Sequence, residues 1–262
     1  MGRRSAREAE RSLVVEGVKL LEVALDAGVG VESVYVDPDA FAPGPQRAGL
    51  QAEQRSGIDE LLQRCLDAGA RVFELDPGVL ARVADTVNPQ PLVAVVGAVD
   101  IALAELGQLH PTMVVVCVAV RDPGNAGALL RAAAAAGAGG GVYCGHSVDL
   151  SNPKTVRASA GTVFQVPVVA GGQPDEVLGE LGRWGMARLG TAAHDGQDYT
   201  AVDLTGPVAI VVGNEAQGLP ELGEGLDQLI TIPMAGPAES LNVAVAAAVV
   251  CFEAARQRRV AR

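Results

Sequence analysis

The spacing of apolar and polar positions over the first hundred residues predicts helices and strands in alternation. Residues 12–27 (SLVVEGVKLLEVALDA) place four aliphatic side chains on one stripe at helical spacing, which predicts a helix. Residues 31–36 alternate as a half-buried strand does. The other elements predicted in this region are helices at 58–68 and 77–84 and strands at 71–75 and 92–99. The prolines and glycines between residues 37 and 57 predict a mobile surface loop, and residues 101–111 are expected to be a linker.

From Met113 onward, the apolar positions form short continuous runs. These runs predict strands at 113–120, 141–145, 166–169, 186–192, 208–213 and 230–233. Helical spacing predicts helices between and after them at 126–136, 153–160, 174–182 and 241–258. Strands that are apolar throughout and alternate with helices are typical of a mostly parallel sheet covered on both faces. The chain is therefore predicted to be an α/β protein with two domains, residues 1–105 and 106–262.

Composition narrows the class of protein. A chain of 262 residues with 49% hydrophobic and 19% charged residues is not disordered. Its four cysteines are spaced as neither a metal motif nor a disulfide framework, so no metal is expected. The most apolar run, residues 113–120, is too short to span a bilayer, and the N-terminus lacks the apolar core of a secretory signal. We therefore expect a cytoplasmic protein with no membrane partner.

Charge argues against a general polyanion binder, since the net charge is −11. Aromatic residues, at 3%, are too scarce for a surface that stacks bases on several rings. The distribution of charge is less one-sided than the total, because residues 121–160 carry four basic groups against two acidic ones, a local charge of +2. A nucleic-acid partner is therefore permitted, although charge alone does not indicate one.

Three of the predicted strands end in glycine-rich segments with polar side chains. The carboxyl ends of parallel strands are where ligands of open sheets bind, so residues 121–133, 213–220 and 233–246 are the candidate site. In the first segment, Asn125 suits a helix-cap position, and Arg131 lies on the following helix beside five small alanines. The alternative for Arg131 is an ordinary solvent-facing residue of that helix.

The second and third segments each offer a polar residue with a structural alternative. Glu215 follows a buried strand and Gly218 closes the turn, although Asn214 and Glu215 could simply cap a short helix. For Ser240 taken alone, the simplest structural alternative is that it is the N-cap of the last helix. Asn242 then lies inside the first turn, where capping does not account for it.

Four ordered motifs carry a resemblance to a known family: NAGALLR (125–131), NPKTVRASAG (152–161), GNEAQGL (213–219) and IPMAGPAESLN (232–242). They resemble the SpoU/TrmH family of RNA ribose 2′-O-methyltransferases, which belongs to the SPOUT superfamily. The resemblance covers about residues 113–258. Residues 13–25 also look like the start of the family's L30e-like substrate-recognition domain.

The resemblance implies an N-terminal L30e-like α/β domain that binds the RNA substrate and a C-terminal SPOUT α/β domain with a deep trefoil knot. It implies that S-adenosyl-L-methionine (AdoMet) lies in the knot. The positions carried over for the cofactor are Thr191, Ala192, Gly213, Asn214, Gly218, Ile232 and Leu241. Family members are homodimers, and helix 241–258 is then expected to contribute to the interface, the alternative being that it packs only on its own sheet.

Catalytic positions also follow from the resemblance. A ribose 2′-hydroxyl is a poor nucleophile at neutral pH, and Arg131 is the family's candidate for activating it. Two roles stay open for Arg131: it removes the proton, or it orients the phosphate and the 2′-oxygen by bidentate contacts. The residues expected to shape the nucleotide pocket and hold Arg131 are Asn125, Glu215, Ser240 and Asn242. Arg121 and Arg157 are expected to contact phosphates.

The expected function is AdoMet-dependent methylation of a ribose 2′-oxygen in RNA. Ribosomal RNA is favoured because the extra N-terminal domain is typical of the ribosomal branch of the family. A transfer-RNA methyltransferase and a catalytically silent RNA-binding scaffold are the alternatives. A nicotinamide-dependent oxidoreductase is excluded, because the glycine run at 137–141 follows a helix and precedes a strand, the reverse of a dinucleotide-binding loop.

Overall fold

The computed structural model describes residues 7, 9–37, 52–76, 78–83, 90–222 and 225–261. The chain divides into two compact units: residues 1–98 with 151–153, and residues 99–150 with 154–262. Most of the surface loop predicted over 37–57 lies outside the described residues, and its last part belongs to a helix. No helix in the described part of the chain is long and apolar enough to cross a membrane.

The first unit is a four-stranded mixed sheet with helices. Its strands are β1 (Ser12–Glu16), β2 (Val31–Val36), β3 (Arg71–Glu74) and β4 (Leu92–Gly97), in the order β1-β4-β2-β3. Its helices are α1 (Val18–Asp26), α2 (Ala52–Asp67) and α3 (Val79–Val83). Strand β4 is antiparallel to β1 and β2, while β2 and β3 are parallel. Strands β1 and β4 are mostly buried, whereas β3 at the edge of the sheet is mostly exposed.

The helix predicted over 12–27 is wrong in its first part. Residues 12–16 form β1 and pair with β4, and only Val18–Asp26 is helical. Gly17 separates them, with a φ of 99° that no helix residue adopts. The β-branched pair Val14 and Val15 also favours a strand, and four of the five residues of β1 are buried.

The second unit is a seven-stranded sheet in which every strand pair is parallel, as predicted. Its order is β7-β6-β5-β10-β8-β11-β9. The strands are β5 (Met113–Val118), β6 (Gly140–Cys144), β7 (Val168–Ala170), β8 (Ala187–Ala192), β9 (Gln197–Asp198), β10 (Val208–Val212) and β11 (Gln228–Thr231). The helices are α4 (Leu103–Gln108), α5 (Pro123–Ala135), α6 (Pro153–Ala158), α7 (Thr162–Gln165), α8 (Pro174–Arg183) and α9 (Val243–Val260). The central strands β5 and β10 are buried along their whole length, which explains their uninterrupted apolar sequence.

The linker expected at 101–111 is instead part of the second unit. It contains α4, whose Leu106 is fully buried in the core of that unit. The backbone N–H of Ile101 donates to the carbonyl of Val168 at 2.9 Å. The division between compact units therefore comes after Ala98 rather than after residue 105, while the roles assigned to the two domains stay predictions.

The carboxyl-terminal end of α9 is hydrogen-bonded to the amino edge of the sheet. The guanidinium of Arg258 donates to the carbonyls of Gly206 at 2.7 Å, Thr112 at 2.9 Å and Leu204 at 3.0 Å. The side-chain amide of Gln257 adds a bond to the carbonyl of Val202 at 3.0 Å. Burial lowers the pKa of Arg258 from its ordinary value. These bonds hold α9 against the segment that leads into β10.

All four cysteines are buried free thiols. Burial raises the pKa of Cys144 to about 11 and that of Cys251 to about 12, and it raises the pKa of Cys117 well above its ordinary value. A thiol with so high a pKa is not a nucleophile at neutral pH. The cysteines are therefore core residues.

Helix α5 lies against α6 at a glycine. A Cβ at Gly127 would lie 2.4 Å from the carbonyl oxygen of Thr155 and 2.7 Å from the backbone nitrogen of Ser159. Both atoms belong to backbone, which cannot move aside as a flexible side chain can. Gly127 thus sets the distance between the helix after β5 and the segment after β6.

We predict that Gly127→Ala lowers the free energy of unfolding of the second unit by about 1–3 kcal/mol, because the added methyl group overpacks this contact. Gly179→Ala is the matched control, since Gly179 lies in helix α8 and a Cβ there meets nothing within 4 Å. The control is expected to gain about 0.5–1 kcal/mol from helix propensity. Denaturant unfolding followed by the fluorescence of Trp184, the single tryptophan, measures both. Equal stabilisation by the two substitutions would contradict the close packing at Gly127.

Candidate functional site

A cavity of about 1160 Å³ lies in the second unit where β8, β10 and β11 end. All seven residues predicted for the cofactor line it: Thr191, Ala192, Gly213, Asn214, Gly218, Ile232 and Leu241. Four of the five predicted catalytic residues line it as well: Asn125, Glu215, Ser240 and Asn242. Segments distant along the chain thus meet at the carboxyl edge of the sheet, where parallel strands place their ligands.

The three predicted arginines do not line this cavity. Arg131 is on the exposed side of α5 and makes no hydrogen bond or ion pair within the described part of the chain. Arg121 is exposed, and its backbone N–H, not its side chain, reaches the cavity wall at Glu215. Arg157 is half-buried on α6. Within one chain, the structure therefore brings together the polar and glycine positions of the predicted site but not its cationic ones.

The carboxylate of Glu215 joins the segment after β10 to the segment after β5. Its Oε1 accepts hydrogen bonds from the Asn125 side-chain amide at 3.0 Å and the Asp122 backbone N–H at 3.2 Å. Its Oε2 accepts from the backbone N–H of Arg121 and from the side-chain amide of Asn214, both at 3.4 Å. Both oxygens are thus held by donors of the protein itself.

Opposing effects act on the pKa of Glu215. Partial burial acts to raise it, but hydrogen bonds from the Asn125 side chain and from the backbone of Glu215, Asp122 and Arg121 outweigh burial. The pKa of Glu215 is therefore below its ordinary value, and the side chain is an ionised acceptor at neutral pH.

Asn125 and Asn242 extend this network to the last helix. The amide nitrogen of Asn242 donates to Oδ1 of Asn125 at 2.9 Å. Oδ1 of Asn242 accepts from the backbone N–H groups of Ala244 at 2.9 Å and Val245 at 3.4 Å. Asn242 is thus at once the N-cap of α9 and a neighbour of Asn125.

The two helix caps lie at other residues than Asn125 and Ser240. Asn242, not Ser240, caps α9, which begins two residues later than predicted. Asp122, not Asn125, caps α5, because the Asn125 backbone N–H donates to Oδ1 of Asp122 at 2.7 Å. Proline at the first helical position, Pro123, accounts for the earlier start of α5. Because Asp122 takes the capping role, the side chain of Asn125 is available to Glu215 and Asn242.

The segment after β10 is a tight turn that excludes side chains. The backbones of Asn214 and Gly218 exchange two hydrogen bonds of 2.8 and 2.9 Å, and Gly218 has a φ of 70°. A Cβ at Gly213 would lie 2.2 Å from the carbonyl atoms of Gly218. The side chain of Asn214 fixes the turn further by accepting from the backbone N–H of Ala216 at 3.0 Å.

Sequence reasoning missed a buried serine below the site. Oγ of Ser147 lies 2.7 and 2.9 Å from the carbonyl oxygens of Cys144 and Cys117, and it accepts from the backbone N–H of Val120 at 3.2 Å. It therefore connects the ends of β5 and β6 to the turn that begins at Ala119, a residue with a φ of 56°. The Asn214 amide holds the same turn through the Ala119 carbonyl at 2.9 Å. A polar residue just after a predicted strand end was the available signal.

The chemistry of the cavity suits an organic ligand. Apolar side chains and backbone atoms make up much of the wall, with amides and carboxylates between them. Among the described residues there is no group of three or more His, Cys, Asp or Glu side chains that could hold a metal ion.

Comparison with known proteins identifies two regions of similarity. Residues 112–252 match the SpoU rRNA Methylase family, and residues 1–94 match the MRM3-like substrate binding domain. The chain is 30% identical to the 23S rRNA (uridine(2479)-2′-O)-methyltransferase of Streptomyces viridochromogenes, over 98% of this chain and 87% of that protein. It is 31% identical to the 23S rRNA (guanosine(2553)-2′-O)-methyltransferase RlmP of Bacillus subtilis (strain 168), over 94% of this chain and 89% of that protein.

A solved structure is similar along the whole chain. The crystal structure of the SpoU methyltransferase AviRb from Streptomyces viridochromogenes, in complex with the cofactor AdoMet, has a TM-score of 0.82 and 29% identity. The similarity covers 100% of this chain and 96% of that one.

We predict that Asn242→Ala lowers the free energy of unfolding of the second unit by about 1 kcal/mol, through loss of the cap. Ser240→Ala is the matched control and is expected to change stability by less than about 0.5 kcal/mol, since Ser240 does not cap the helix. Asn242→Asp separates the two roles of Asn242, because it keeps the capping oxygen and removes the donor to Asn125. Thermal and denaturant unfolding measure all three variants. A larger loss with Ser240→Ala than with Asn242→Ala would show that the cap is wrongly assigned.

Proposed function

The chain belongs to the SpoU rRNA methylase family, and from this premise we propose that it transfers the methyl group of AdoMet to a ribose 2′-hydroxyl of ribosomal RNA. The observation that carries the proposal is the meeting of Asn125, Glu215 and Asn242 at the cavity that also holds all the predicted cofactor positions. The similar proteins named above, which act on 23S rRNA, support the substrate. Such a substrate implies a cytoplasmic protein.

The cavity fits AdoMet by its size and its chemistry. Backbone at Gly213 and Gly218 and apolar contacts at Ile232 and Leu241 suit a neutral adenosine. The AdoMet bound to the similar structure supports this assignment. AdoMet supplies a methyl group already activated by its sulfonium, so the protein has to position the acceptor oxygen and manage its proton. In this proposal the residues around the cofactor form a deep trefoil knot, in keeping with the parallel sheet and the SPOUT resemblance.

The hydrogen-bond network gives the polar residues a positioning role. Glu215 fixes the start of α5 through Asp122 and Asn125, and Asn125 is fixed in turn by Asn242. This arrangement holds α5, the helix that carries Arg131, at a set distance from the cavity. Ser240 lies at the cavity wall beside Asn242, where its hydroxyl is available to a nucleotide.

Arg131 is proposed to act across a dimer interface. It lies outside the cavity of its own chain, on the exposed side of α5, which packs along α9. Helix α9 exposes Val245 and Phe252, with exposed fractions of 48% and 47%, and Leu241, just before the helix, is 36% exposed. An apolar face of this kind is typical of a surface that a partner covers. Two chains joined through α9 and α5 would allow Arg131 of one to approach the cavity of the other.

For the chemical role of Arg131, two actions are compatible with this placement. The guanidinium orients the phosphate and the 2′-oxygen through paired hydrogen bonds, or it takes up the 2′-hydroxyl proton. The first needs no change in its charge, because arginine side chains stay protonated in proteins.

Arg121 and Arg157 are proposed to contact phosphates of the same RNA. The first unit, which matches a substrate binding domain, is proposed to hold structured RNA by shape.

The proposed activity predicts that Arg131→Ala lowers methyl transfer to ribosomal RNA by at least about a hundredfold, because a positioned catalytic group contributes that much. Binding of AdoMet, measured by titration calorimetry, is expected to stay within about twofold, since Arg131 does not line the cavity. Transfer is measured with radiolabelled AdoMet, and nucleoside analysis of the product should show a 2′-O-methyl ribose. Arg183→Ala, an exposed arginine on α8, is the control and should retain full activity.

Three outcomes would contradict the proposal. Full activity of Arg131→Ala would remove the catalytic assignment. Methylation of transfer RNA but not ribosomal RNA would favour the transfer-RNA alternative. AdoMet binding with no transfer to either RNA would favour a silent RNA-binding scaffold.

The proposed dimer predicts that Val245→Glu and Phe252→Glu shift the protein toward monomers in sedimentation experiments, because a charge would be buried at the interface. Methyl transfer should fall with the dimer fraction, while AdoMet binding is less affected. Leu66→Glu is the control, since Leu66 is similarly exposed but lies in the first unit. A fully active monomeric wild type would overturn the arrangement.

A further inference from the structure

The cavity wall is acidic and has no cationic side chain among its described residues. Four carboxylates line it: Glu215, Glu221, Asp227 and Glu239. Its other lining side chains are apolar, amide or hydroxyl groups, and none of those that the structure describes is Lys, Arg or His. A negative wall repels RNA, which is a polyanion. The charge of the wall is therefore explained by the other ligand of the cavity, AdoMet.

Only one of these carboxylates has a cationic partner in the described part of the chain. Asp227 is bound by Arg188, with an Nη2–Oδ1 distance of 2.6 Å and an Nε–Oδ2 distance of 2.9 Å. Glu215 is held by neutral amide and backbone donors, which stabilise its charge without cancelling it. Glu221 and Glu239 are exposed and form no hydrogen bond or ion pair with described residues. The wall therefore carries an uncompensated charge of about three carboxylates.

The proposed reaction changes the charge of the ligand in this cavity. AdoMet bears a sulfonium, an ammonium and a carboxylate, a net charge of +1. When the methyl group leaves, the sulfur keeps the bonding electron pair and becomes a neutral thioether, so S-adenosyl-homocysteine has no net charge. A wall of uncompensated carboxylates attracts the first ligand more than the second, because the two ligands share the adenosine and the amino acid end and differ only in the methyl group and its charge.

We propose that the acidic lining makes the site selective for the cationic methyl donor over its demethylated product, with Glu221 and Glu239 as specificity residues. This inference rests on the proposed function. It adds that the site binds the product more weakly than the methyl donor, which favours release of the product after each transfer. In a water-like dielectric, an exposed carboxylate about 8 Å from a unit positive charge favours a cationic ligand over a neutral one by about twofold. Three of them then give a preference of about fivefold to tenfold.

Calorimetric titration of the full-length protein tests the proposal with three probes. AdoMet, S-adenosyl-homocysteine and sinefungin, which carries an amine where AdoMet has its sulfonium, are each measured at low and high salt. AdoMet and sinefungin should bind about fivefold to tenfold more tightly than S-adenosyl-homocysteine at low salt. The preference should shrink as salt screens the carboxylates.

The double variant Glu221→Gln with Glu239→Gln isolates the two residues. It should reduce the preference for AdoMet by about fourfold and leave the affinity for S-adenosyl-homocysteine within about twofold. Asp175→Asn with Glu176→Gln is the matched control, because it removes two exposed carboxylates from α8 that do not line the cavity. That control should keep the wild-type preference.

Two results would overturn the inference while the proposed function stands. One is wild-type protein that binds S-adenosyl-homocysteine as tightly as AdoMet at low salt. The other is a preference that neither salt nor the double variant changes, since selectivity would then come from shape. Failure of all three probes to bind would instead remove the proposed function itself. The salt series on the wild type does not depend on the variants, so it decides the matter even if a variant fails to fold.

Discussion

The arrangement of the site depends on one interaction: the Glu215 carboxylate accepts four hydrogen bonds. Two of the donors are backbone groups at the start of α5 and two are side-chain amides, so a single ionised group fixes segments more than ninety residues apart. A neutral acceptor would hold the same donors more weakly, because hydrogen bonds to a charged group are stronger. The Asn125–Asn242 contact then transmits this order to the third segment and to the helix that follows it.

The periodicity of the sequence was sufficient to predict the parallel sheet, since β5 and β10 are buried on both faces and contain apolar residues only. It failed where backbone conformation decides. At residues 12–27 the aliphatic spacing fits a helix, but Gly17 interrupts it and β1 finds a partner in β4 far along the chain. The helix within the expected linker was missed because α4 has only six residues, too few for a periodic signal.

The polar residues of the site were predictable because parallel strands bring their carboxyl ends to one edge, and motif residues at those ends must then be neighbours. Their hydrogen-bond roles were not, because a helix start can be capped by any of several nearby polar residues. In the structure, Asp122 and Asn242 are the caps rather than Asn125 and Ser240. Backbone geometry decides this, and the spacing of residues along the sequence does not specify that geometry. The charge of the cavity was hidden for a related reason, since its carboxylates are scattered between residues 215 and 239.

Helix α9 connects two places that are far apart in the second unit. At a rise of 1.5 Å per residue, its 18 residues span about 27 Å, from Asn242 at the cavity to Gln257 and Arg258 at the opposite edge of the sheet. The helix therefore forms a rigid connection whose two ends are held by separate sets of hydrogen bonds. A force on the carboxyl-terminal arginines, from a fused peptide or a bound surface, is therefore transmitted along the helix to Asn242, which borders the cavity.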